Sequence, residues 1–496
     1  MNLKAIESYA RALGLALLVS AGAPRQPLWA AEGLSTSDSQ GVALTIYNQN
    51  FAVVKDTRSV NLKDGINFLR FEDVAAKIDP TSVSFQSLTA PNTVVVREQN
   101  YQYDLLCPDS VLAKSVGKNV KFQQFLPNGQ LRELKGVLLN CPTAMVSDTE
   151  GQVSQRCQGL VIKTSDGVVL NPSGQVELSE LPAGLVARPS LFWKLESTKA
   201  GVHQAEISYQ TADINWRCDY VAVLNAEDNQ AGLTSWVTLD NKSGASYKQA
   251  ALKLLAGDVH RVQPPPMPVA PEESMVCADG APPPPQFKEQ SFAEYHLYAL
   301  KNKTDVLDNE TKQLSLFNAD KIPVKKKFVF EPEGQIVPTG DGASGGNGQK
   351  VNVKIELANT EANHLGMPMP KGKVRVYKSD SDGALQFIGE DLIDHTPKDE
   401  LVRLYIGDAF DLVADKKQTD MQQMASTVQR MSYEISLRNH KKEEVTINCV
   451  EHAFGDWTIL TSSQPYTKKD SKTFEFAVRV PASGEVKVTY QIEVRY

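Results

Sequence analysis

Apolar and polar residues alternate along most of the chain after Val42, in short runs that turn-forming residues separate. The runs 474–480 and 486–494 are the most regular, with an apolar residue at every second position. Successive side chains of a strand point to opposite faces of a sheet, so each run predicts a strand with one buried face and one face in water. Two sheets packed face to face are the expected product.

Four dipeptides between such runs indicate tight turns. Asp-Gly and Asn-Gly accept the positive φ angles that a two-residue hairpin turn requires. The dipeptides are Asp64-Gly65, Asn128-Gly129, Asp166-Gly167 and Asp382-Gly383. We therefore predict that the strands on either side of each dipeptide form a hairpin.

Signals for helices are few. Residues 109–115 predict one or two helical turns, with Asp109 or Ser110 as the N-cap. Residues 415–431 are a second candidate helix, although their apolar residues are irregularly spaced.

Two segments interrupt the strand pattern. Residues 263–286 hold nine of the 27 prolines, and proline lacks the N–H group that a sheet ladder needs. We predict an extended, exposed loop there; a proline-rich ligand for a partner is the alternative. The glycine-rich residues 340–348 predict a flexible loop between two strands.

The fold class expected from these patterns is mainly β, with several domains, antiparallel β-sandwich and small-barrel-like modules, and few short helices. A chain of 496 residues is long enough for about three domains at roughly 150 residues each. The predicted boundaries are 1–31 for a signal peptide, 32–105 for an N-terminal β domain, 106–195 for a small β-barrel-like module, 196–415 for a central β-sandwich region and 416–496 for a C-terminal immunoglobulin-like β module.

The N-terminus has the pattern of a cleavable signal peptide. Lys4 and Arg11 precede the apolar run 12–19, small residues follow through Ala23, and two more are present at Ala30 and Ala31. The run is shorter than the roughly 20 residues that span a bilayer, and we predict cleavage after Ala30 or Ala31. A buried helix is the alternative. Export predicts a periplasmic or secreted protein, and no transmembrane segment is expected in the mature chain.

Composition excludes some partners. The formal net charge is −7, with 41% hydrophobic and 22% charged residues. These values are typical of a soluble globular chain, and the acidic balance offers no positive surface for nucleic acid or anionic lipid.

The six cysteines fit an oxidising compartment. Cys141 and Cys157 flank one polar loop between two strand-like runs, and we predict that they form a disulfide. Cys218 and Cys449 lie in apolar strand patterns typical of buried thiols. The pairing of Cys107, Cys218, Cys277 and Cys449 stays open. No Cys-x-x-Cys occurs, which argues against a zinc ribbon or a thioredoxin-like redox site.

The sequence matches several catalytic and binding motifs only in part, because the companion residues or the required secondary structure are missing. Residues 340–345 match a dinucleotide fingerprint, but a strand pattern follows where a helix is required. Ser115-x-x-Lys118 lacks the companion motifs of penicillin-recognising enzymes. Residues 380–391 begin like a calcium loop without its final glutamate, and the seven histidines lack metal-site spacing. The sequence assigns no catalytic, cofactor-binding or metal-ligating residue.

Four aromatic residues are candidates for a sugar-stacking platform: Trp216, Tyr220, Trp236 and Trp457. Each tryptophan lies in or beside an apolar strand run. We therefore expect Trp216, Trp236 and Trp457 to be core anchors.

Several segments together resemble a bacterial family called domain of unknown function 4139. They are 207–220, 232–244, 251–259, 370–377, 387–391, 433–439 and 451–457, with 44–71 and 100–106 resembling its exported members. The resemblance implies an exported, β-rich architecture and supplies no catalytic residues. Some relatives, called mucoidy-inhibitor-like, carry an N-terminal coiled coil that this chain lacks, so their label does not transfer.

Three classes of function follow. The first is an exported, non-catalytic interaction or scaffold protein of the cell envelope, whose partner is another envelope protein or a glycan. The second is a carbohydrate- or peptide-binding module, which would expose aromatic residues in a groove. The third is a hydrolase with a dispersed active site, which would bring a nucleophile, a base and an orienting group within hydrogen-bond reach.

Overall fold

The computed structural model describes residues 34–35, 39–125, 130–141, 143–147, 153–157, 159–172, 174–257, 259–261, 287–292, 294–337, 349–380 and 382–496. Several predictions lie outside these residues: the signal peptide 1–31, the Asn128-Gly129 turn, the proline-rich loop 263–286, the glycine-rich loop 340–348 and Cys277. Strand residues make up 68% and helical residues 2%, which confirms a mainly β fold.

The strands begin with β1 Leu34–Ser35, β2 Gly41–Tyr47, β3 Phe51–Leu62, β4 Gly65–Glu72, β5 Ile78–Ser87, β6 Val94–Gln102, β7 Asn119–Phe125 and β8 Leu131–Asn140. They continue with β9 Thr143–Ser147, β10 Val153–Cys157, β11 Val161–Thr164, β12 Gly167–Leu170, β13 Gln175–Leu178, β14 Ser190–Ser197, β15 Gly201–Ala212 and β16 Ile214–Leu224. Next are β17 Gln230–Asn241, β18 Tyr247–Ala256, β19 Phe287–Phe292, β20 Tyr295–Leu300, β21 Thr304–Val306, β22 Glu310–Phe330, β23 Gln349–Ala358 and β24 Gly372–Ser379. The last are β25 Leu385–Ile393, β26 Leu401–Ala425, β27 Val428–Asn439, β28 Val445–His452, β29 Asp456–Ser462, β30 Tyr466–Lys468, β31 Thr473–Val480 and β32 Glu485–Arg495. The described helices are α1 Pro108–Ala113 and the 3-10 turn Glu361–Asn363.

The chain divides into two compact units, Met1–Gln40 with Asp56–Ser208 and Gly41–Lys55 with Tyr209–Tyr496. In the first unit, one sheet has the strand order β1-β4-β14-β6, and Trp193 of β14 is its largest buried side chain. The Trp193 ring meets Phe71 and Phe85 edge-on, with ring centroids 5.8 and 5.6 Å away. Aromatic side chains anchor a core because each removes a large apolar area from water.

A second sheet of the first unit, in the order β12-β11-β8-β7-β13, has a small core of its own. That core consists of Val120, Phe122, Leu138 and Ile162. The predicted short helix is confirmed as α1, but its N-cap is Cys107, whose Sγ accepts from the Ser110 N–H at 3.4 Å. The predicted caps are therefore wrong, because Pro108 occupies the first helical position and Cys107 precedes it.

The predicted turns have mixed outcomes. Hairpins β11–β12 and β24–β25 confirm the strand pairing predicted around Asp166-Gly167 and Asp382-Gly383. The dipeptides are not themselves the two-residue turns, because Gly167 is paired with Thr164 and the second loop extends from Ser379 to Leu385. The prediction at Asp64-Gly65 is wrong about pairing: Gly65 has φ 87°, but β4 pairs with β1 and β14 and not with β3. A dipeptide determines the local turn, whereas the strand partner depends on where each apolar face is buried.

In the second unit, seven strands form a barrel-like array in the order β25-β24-β16-β17-β22-β23-β26. The two ends of this series lie against each other. A Cβ atom on Gly389 of β25 would come within 2.2 Å of the Ile406 carbonyl O of β26, and the Tyr405 N–H donates to Asp391 Oδ2 at 2.7 Å. Glycine at residue 389 is what permits this close approach. Strands β19, β20, β18 and β2 form a further sheet of this unit.

The C-terminal part of the second unit is a two-layer sandwich. Strands β26, β27, β32 and β29 form one layer, and β28, β31 and β30 form the other. The regular runs predicted at the C-terminus are β31 and β32, whose apolar faces meet: the Phe476 and Tyr490 ring centroids are 5.3 Å apart.

The candidate helix over 415–431 is wrong, because these residues form the β26–β27 hairpin with Met421 opposite Met431. Every second side chain of β27 is buried in the sandwich core, so tertiary packing overrides the weak helical preference of the polar run. The boundary predicted between 415 and 416 lies inside β26, and Leu412 and Ala414 belong to the core of the sandwich. Among the described helices, none is long and apolar enough to cross a membrane.

Candidate ligand-binding cleft

The structure describes the side chain of only one of the two cysteines in the predicted disulfide. Cys141 is disulfide-bonded, and Cys107, Cys218 and Cys449 are free thiols. The side chain of Cys157 lies outside the described residues, although its backbone is paired with Thr143 in the β9–β10 hairpin. The Cys141–Cys157 bond therefore stays a prediction.

Cys218 and Cys449 are buried, as the sequence predicts. Burial raises the pKa of Cys218 to about 12 and also raises the pKa of Cys449. Both thiols are therefore protonated at neutral pH and unreactive.

The structure contains a serine–histidine pair that could be mistaken for a hydrolase site. Ser87 Oγ lies 2.9 Å from His203 Nδ1, and His203 Nε2 lies 2.9 Å from the Lys199 carbonyl O. Ser87 is 4% and His203 2% exposed, so a substrate does not reach them. Their hydrogen bonds satisfy buried polar groups of the first unit.

Two of the three tryptophan predictions are confirmed. Trp216 and Trp457 are buried, and their Nε1–H groups donate to the carbonyl O atoms of Leu255 and Ser471. The prediction for Trp236 is wrong, because this side chain is only partly buried. Its neighbours Ser235 and Val237 carry the buried face of β17, which places Trp236 on the opposite face.

A cleft with a volume of about 260 Å³ opens at one end of the barrel-like array, and we call it the lysine cleft. Its charged residues are Asp228, Lys326, Lys378, Asp408 and Lys441. Its other residues are Leu224, Phe328, Val353, Ile355, Ile388, Ile406, Gly407 and Ala409. A mostly apolar lining with a few polar groups at defined positions is typical of a small-molecule site.

The strand register explains why lysines and apolar side chains share this cleft. On β22 and β23, Lys326 is paired with Ile355 and Phe328 with Val353. Directly opposite residues lie on the same face of a sheet, so all four side chains point the same way. On the parallel pair β16 and β24, Leu224 is likewise opposite Lys378.

Two bulges in β26 shape the remaining wall. The register against β23 shifts between Lys350 and Val351 and again between Val353 and Lys354. Gly407, which lies between these shifts, has φ 139°, a conformation that favours glycine. Bulges bend a strand and redirect its side chains, and residues 406–409 consequently face the cleft in succession.

Asp228 bridges two of the lysines. Its Oδ1 accepts from Lys378 Nζ at 2.6 Å and its Oδ2 from Lys326 Nζ at 2.8 Å. Burial raises the pKa of Asp228, but the hydrogen bonds and charges of the two lysines outweigh it and lower the pKa below its ordinary value. The carboxylate is therefore ionised at neutral pH.

The third lysine has no such partner. Lys441 Nζ lies 5.5 Å from the centroid of the Phe328 ring, and among the described residues it forms no ion pair. The second carboxylate of the cleft, Asp408, is neutralised from outside by Lys350 at 2.9 Å, which lowers the pKa of Asp408. Of the cleft's own groups, three lysines therefore face the single remaining negative charge of Asp228, which leaves a surplus of positive charge.

An apolar cleft with a surplus cation suits an organic anion that carries an apolar group. None of the cleft residues is among those predicted from the sequence, although the sequence contains one signal for them: Lys326 lies between Val324 and Phe328 on one strand face. Among the described residues, no group of three or more His, Cys, Asp or Glu side chains could hold a metal ion.

No family model matches the chain, and the comparison with curated proteins finds no similar one. The resemblance to domain of unknown function 4139 therefore stays a prediction.

Proposed function

We propose that this is an exported, non-catalytic binding protein of the cell envelope, and that its lysine cleft binds an organic anion with an apolar body. The observation that carries the proposal is Lys441, a cation beside Phe328 in an apolar cleft and without a carboxylate partner among the described residues. The N-terminal pattern of a signal peptide supports export.

The chemistry of the lining favours binding over catalysis. Its ionisable side chains are three lysines and two aspartates, and both aspartates are held by lysines. A general base needs a free acceptor, whereas both of these carboxylates already accept from lysines. Lysines held beside apolar side chains instead recognise a ligand by its charge and its shape.

The test is binding of anilinonaphthalene sulfonate, a fluorescent dye with one anionic group on an apolar body. Replacing Lys441 by Gln should weaken binding about tenfold, which corresponds to about 1.4 kcal/mol. Lys442→Gln is the matched control, because it removes an exposed neighbouring charge outside the cleft. Equal affinities of the two variants would contradict the proposal.

A protein partner is the second candidate, favoured by two exposed apolar side chains on β25 and β26. Phe410 of β26 is 97% exposed and Leu392 of β25 is 72% exposed. Exposed residues of this kind mark interaction surfaces when they cluster. Cross-linking in the native envelope, comparing wild type with Phe410→Ser, tests this candidate: a band present only in wild type supports it.

A further inference from the structure

Asp228 contacts Lys326 and Lys378, here called the lysine pair, in the way a ligand carboxylate would. Each of its two oxygens accepts from one ammonium group, at 2.6 Å from Lys378 and 2.8 Å from Lys326. Its side chain is 15% exposed, and those of the two lysines are 31% and 32% exposed, so the group lies at the mouth of the cleft and within reach of solvent. The two lysines are thus already spaced for one carboxylate.

The carboxylate belongs to a short turn, not to a strand. Asp228 lies between β16 and β17 with φ 55°, the left-handed conformation that non-glycine residues adopt infrequently. The Asn225 side chain holds this turn, since its Oδ1 accepts from the N–H groups of Asn229 and Gln230 at 3.0 Å. A turn held by its own hydrogen bonds does not depend on the two ion pairs to keep its shape.

We infer that Asp228 is an internal substitute for the ligand, and that the lysine cleft binds a monocarboxylate with an apolar chain, whose carboxylate displaces that of Asp228 from Lys326 and Lys378. This inference rests on the proposed function and specifies its ligand. The apolar chain would lie against Phe328, Ile355 and Ile388.

The contacts already present favour a carboxylate. The lysine pair holds the carboxylate of Asp228 with one oxygen on each ammonium group, so a ligand carboxylate can take over the same two contacts. Lys441, beside Phe328, adds attraction without a fixed contact. Exchange of one carboxylate for another gives the lysine pair the same two contacts with one negative charge.

Two sources can supply this chemistry, a fatty acid and the C-terminal residue of an apolar peptide. Decanoate and acetyl-leucyl-leucine are suitable probes, with decanol and the amide of the same peptide as uncharged controls. Tighter binding of decanoate assigns the site to fatty acids, and tighter binding of the peptide acid assigns it to chain termini.

The deciding experiment is calorimetric titration of the full chain and of Asp228→Asn. Removing the internal competitor should tighten binding of the preferred carboxylate by about 5- to 150-fold, the usual range of coupling between two sites. Asparagine tolerates the left-handed conformation, and Asp228→Gly is a second variant that adopts it without strain. Glu227→Gln, an exposed change in the same turn, is the matched control and should leave the affinity unchanged.

The outcomes separate the two proposals. If both Asp228 variants bind the carboxylates no more tightly than wild type, while the dye still depends on Lys441, Asp228 is not a substitute ligand and the proposed function stands. If the dye and both carboxylates fail to bind every variant, the proposed function falls as well.

Discussion

Two regions of the second unit place a lysine beside an aromatic ring, with opposite surroundings. In the C-terminal sandwich, Lys416 Nζ lies 4.8 Å from the Tyr433 ring centroid and 2.5 Å from Glu451 Oε2. In the lysine cleft, Lys441 Nζ lies 5.5 Å from the Phe328 ring centroid and has no carboxylate partner among the described residues. One lysine is neutralised inside the fold and the other is left for solvent or a ligand.

The difference depends on whether the surrounding strands enclose the lysine or leave it open to solvent. Lys416 is on β26 and Glu451 is on β28, so the ion pair joins the two layers of the sandwich, and the Glu451 side chain is only 1% exposed. A charge enclosed in this way must have its counter-charge within the protein, because burying it alone costs several kcal/mol. The cleft is open, so water can solvate Lys441 until an anion replaces it. The same pair of groups is therefore structural in one place and available for binding in the other.

The largest effect should come from breaking the enclosed pair. Lys416→Ala leaves Glu451 buried without its cation, which should lower the free energy of unfolding by about 3–5 kcal/mol. Denaturant titration measures the loss, and Lys417→Ala, which removes an exposed neighbouring charge, is the control. Similar midpoints for the two variants would show that the pair contributes no more than a surface charge. Lys441→Ala should resemble the control.

Truncating one aromatic ring in each region tests the same comparison through packing. Phe474 is 0% exposed in the sandwich, where it contacts Trp457 and Tyr490, and Phe474→Ala should cost about 3–5 kcal/mol. Phe328 is only partly buried, so Phe328→Ala should cost about half as much while weakening dye binding in the cleft. Phe328 also packs against the edge of the sandwich core, so a larger stability loss for Phe328→Ala would mean that this packing outweighs its exposure in the cleft.

The sequence predicts the enclosed region better than the open one. Alternation alone identifies β31 and β32, since every apolar residue of those runs but Ala477 packs in or against one continuous core. It does not identify β26, where the polar residues after Lys416 conceal a strand that only its pairing with β27 reveals. Local preference decides little in such a run, and the partner strand decides the structure.

The cleft was not predictable as a site, because its residues come from distant segments. Asp228, Lys326, Lys378 and Lys441 belong to a turn, two strands and a loop that only the fold of the second unit brings together. Their individual signals are weak: each is one charged residue among the 22% of the chain that is charged. Periodicity gives the face on which Lys326 lies, whereas the register and the bulges of β26 determine what it meets.

Trp236 gives a smaller effect that sharpens the contrast between buried and open faces. Trp236→Ala should lower the free energy of unfolding by about 1 kcal/mol, because its ring is only partly buried, whereas Trp216→Ala should cost about 3–5 kcal/mol. Both strands belong to one sheet and pair directly, so the comparison holds the backbone constant. If denaturant titration shows equal losses of unfolding free energy for the two variants, Trp236 is a core residue like Trp216.

The smallest effect concerns pH and the ion pairs of Asp228. The pKa of this carboxyl is lower in the folded protein than its value of about 3.9 in an unfolded chain. Its contribution to stability is therefore present above about pH 4 and is lost as the pH falls through the lower, folded pKa. The two lysines are about one-third exposed, so the contribution should stay below about 1 kcal/mol.

The measurement is the difference in unfolding free energy between wild type and Asp228→Asn at pH 6 and pH 3. We expect wild type to be the more stable at pH 6 and the difference to shrink at pH 3. A difference that grows toward low pH would mean that Asp228 is strained by its position instead of stabilised by Lys326 and Lys378.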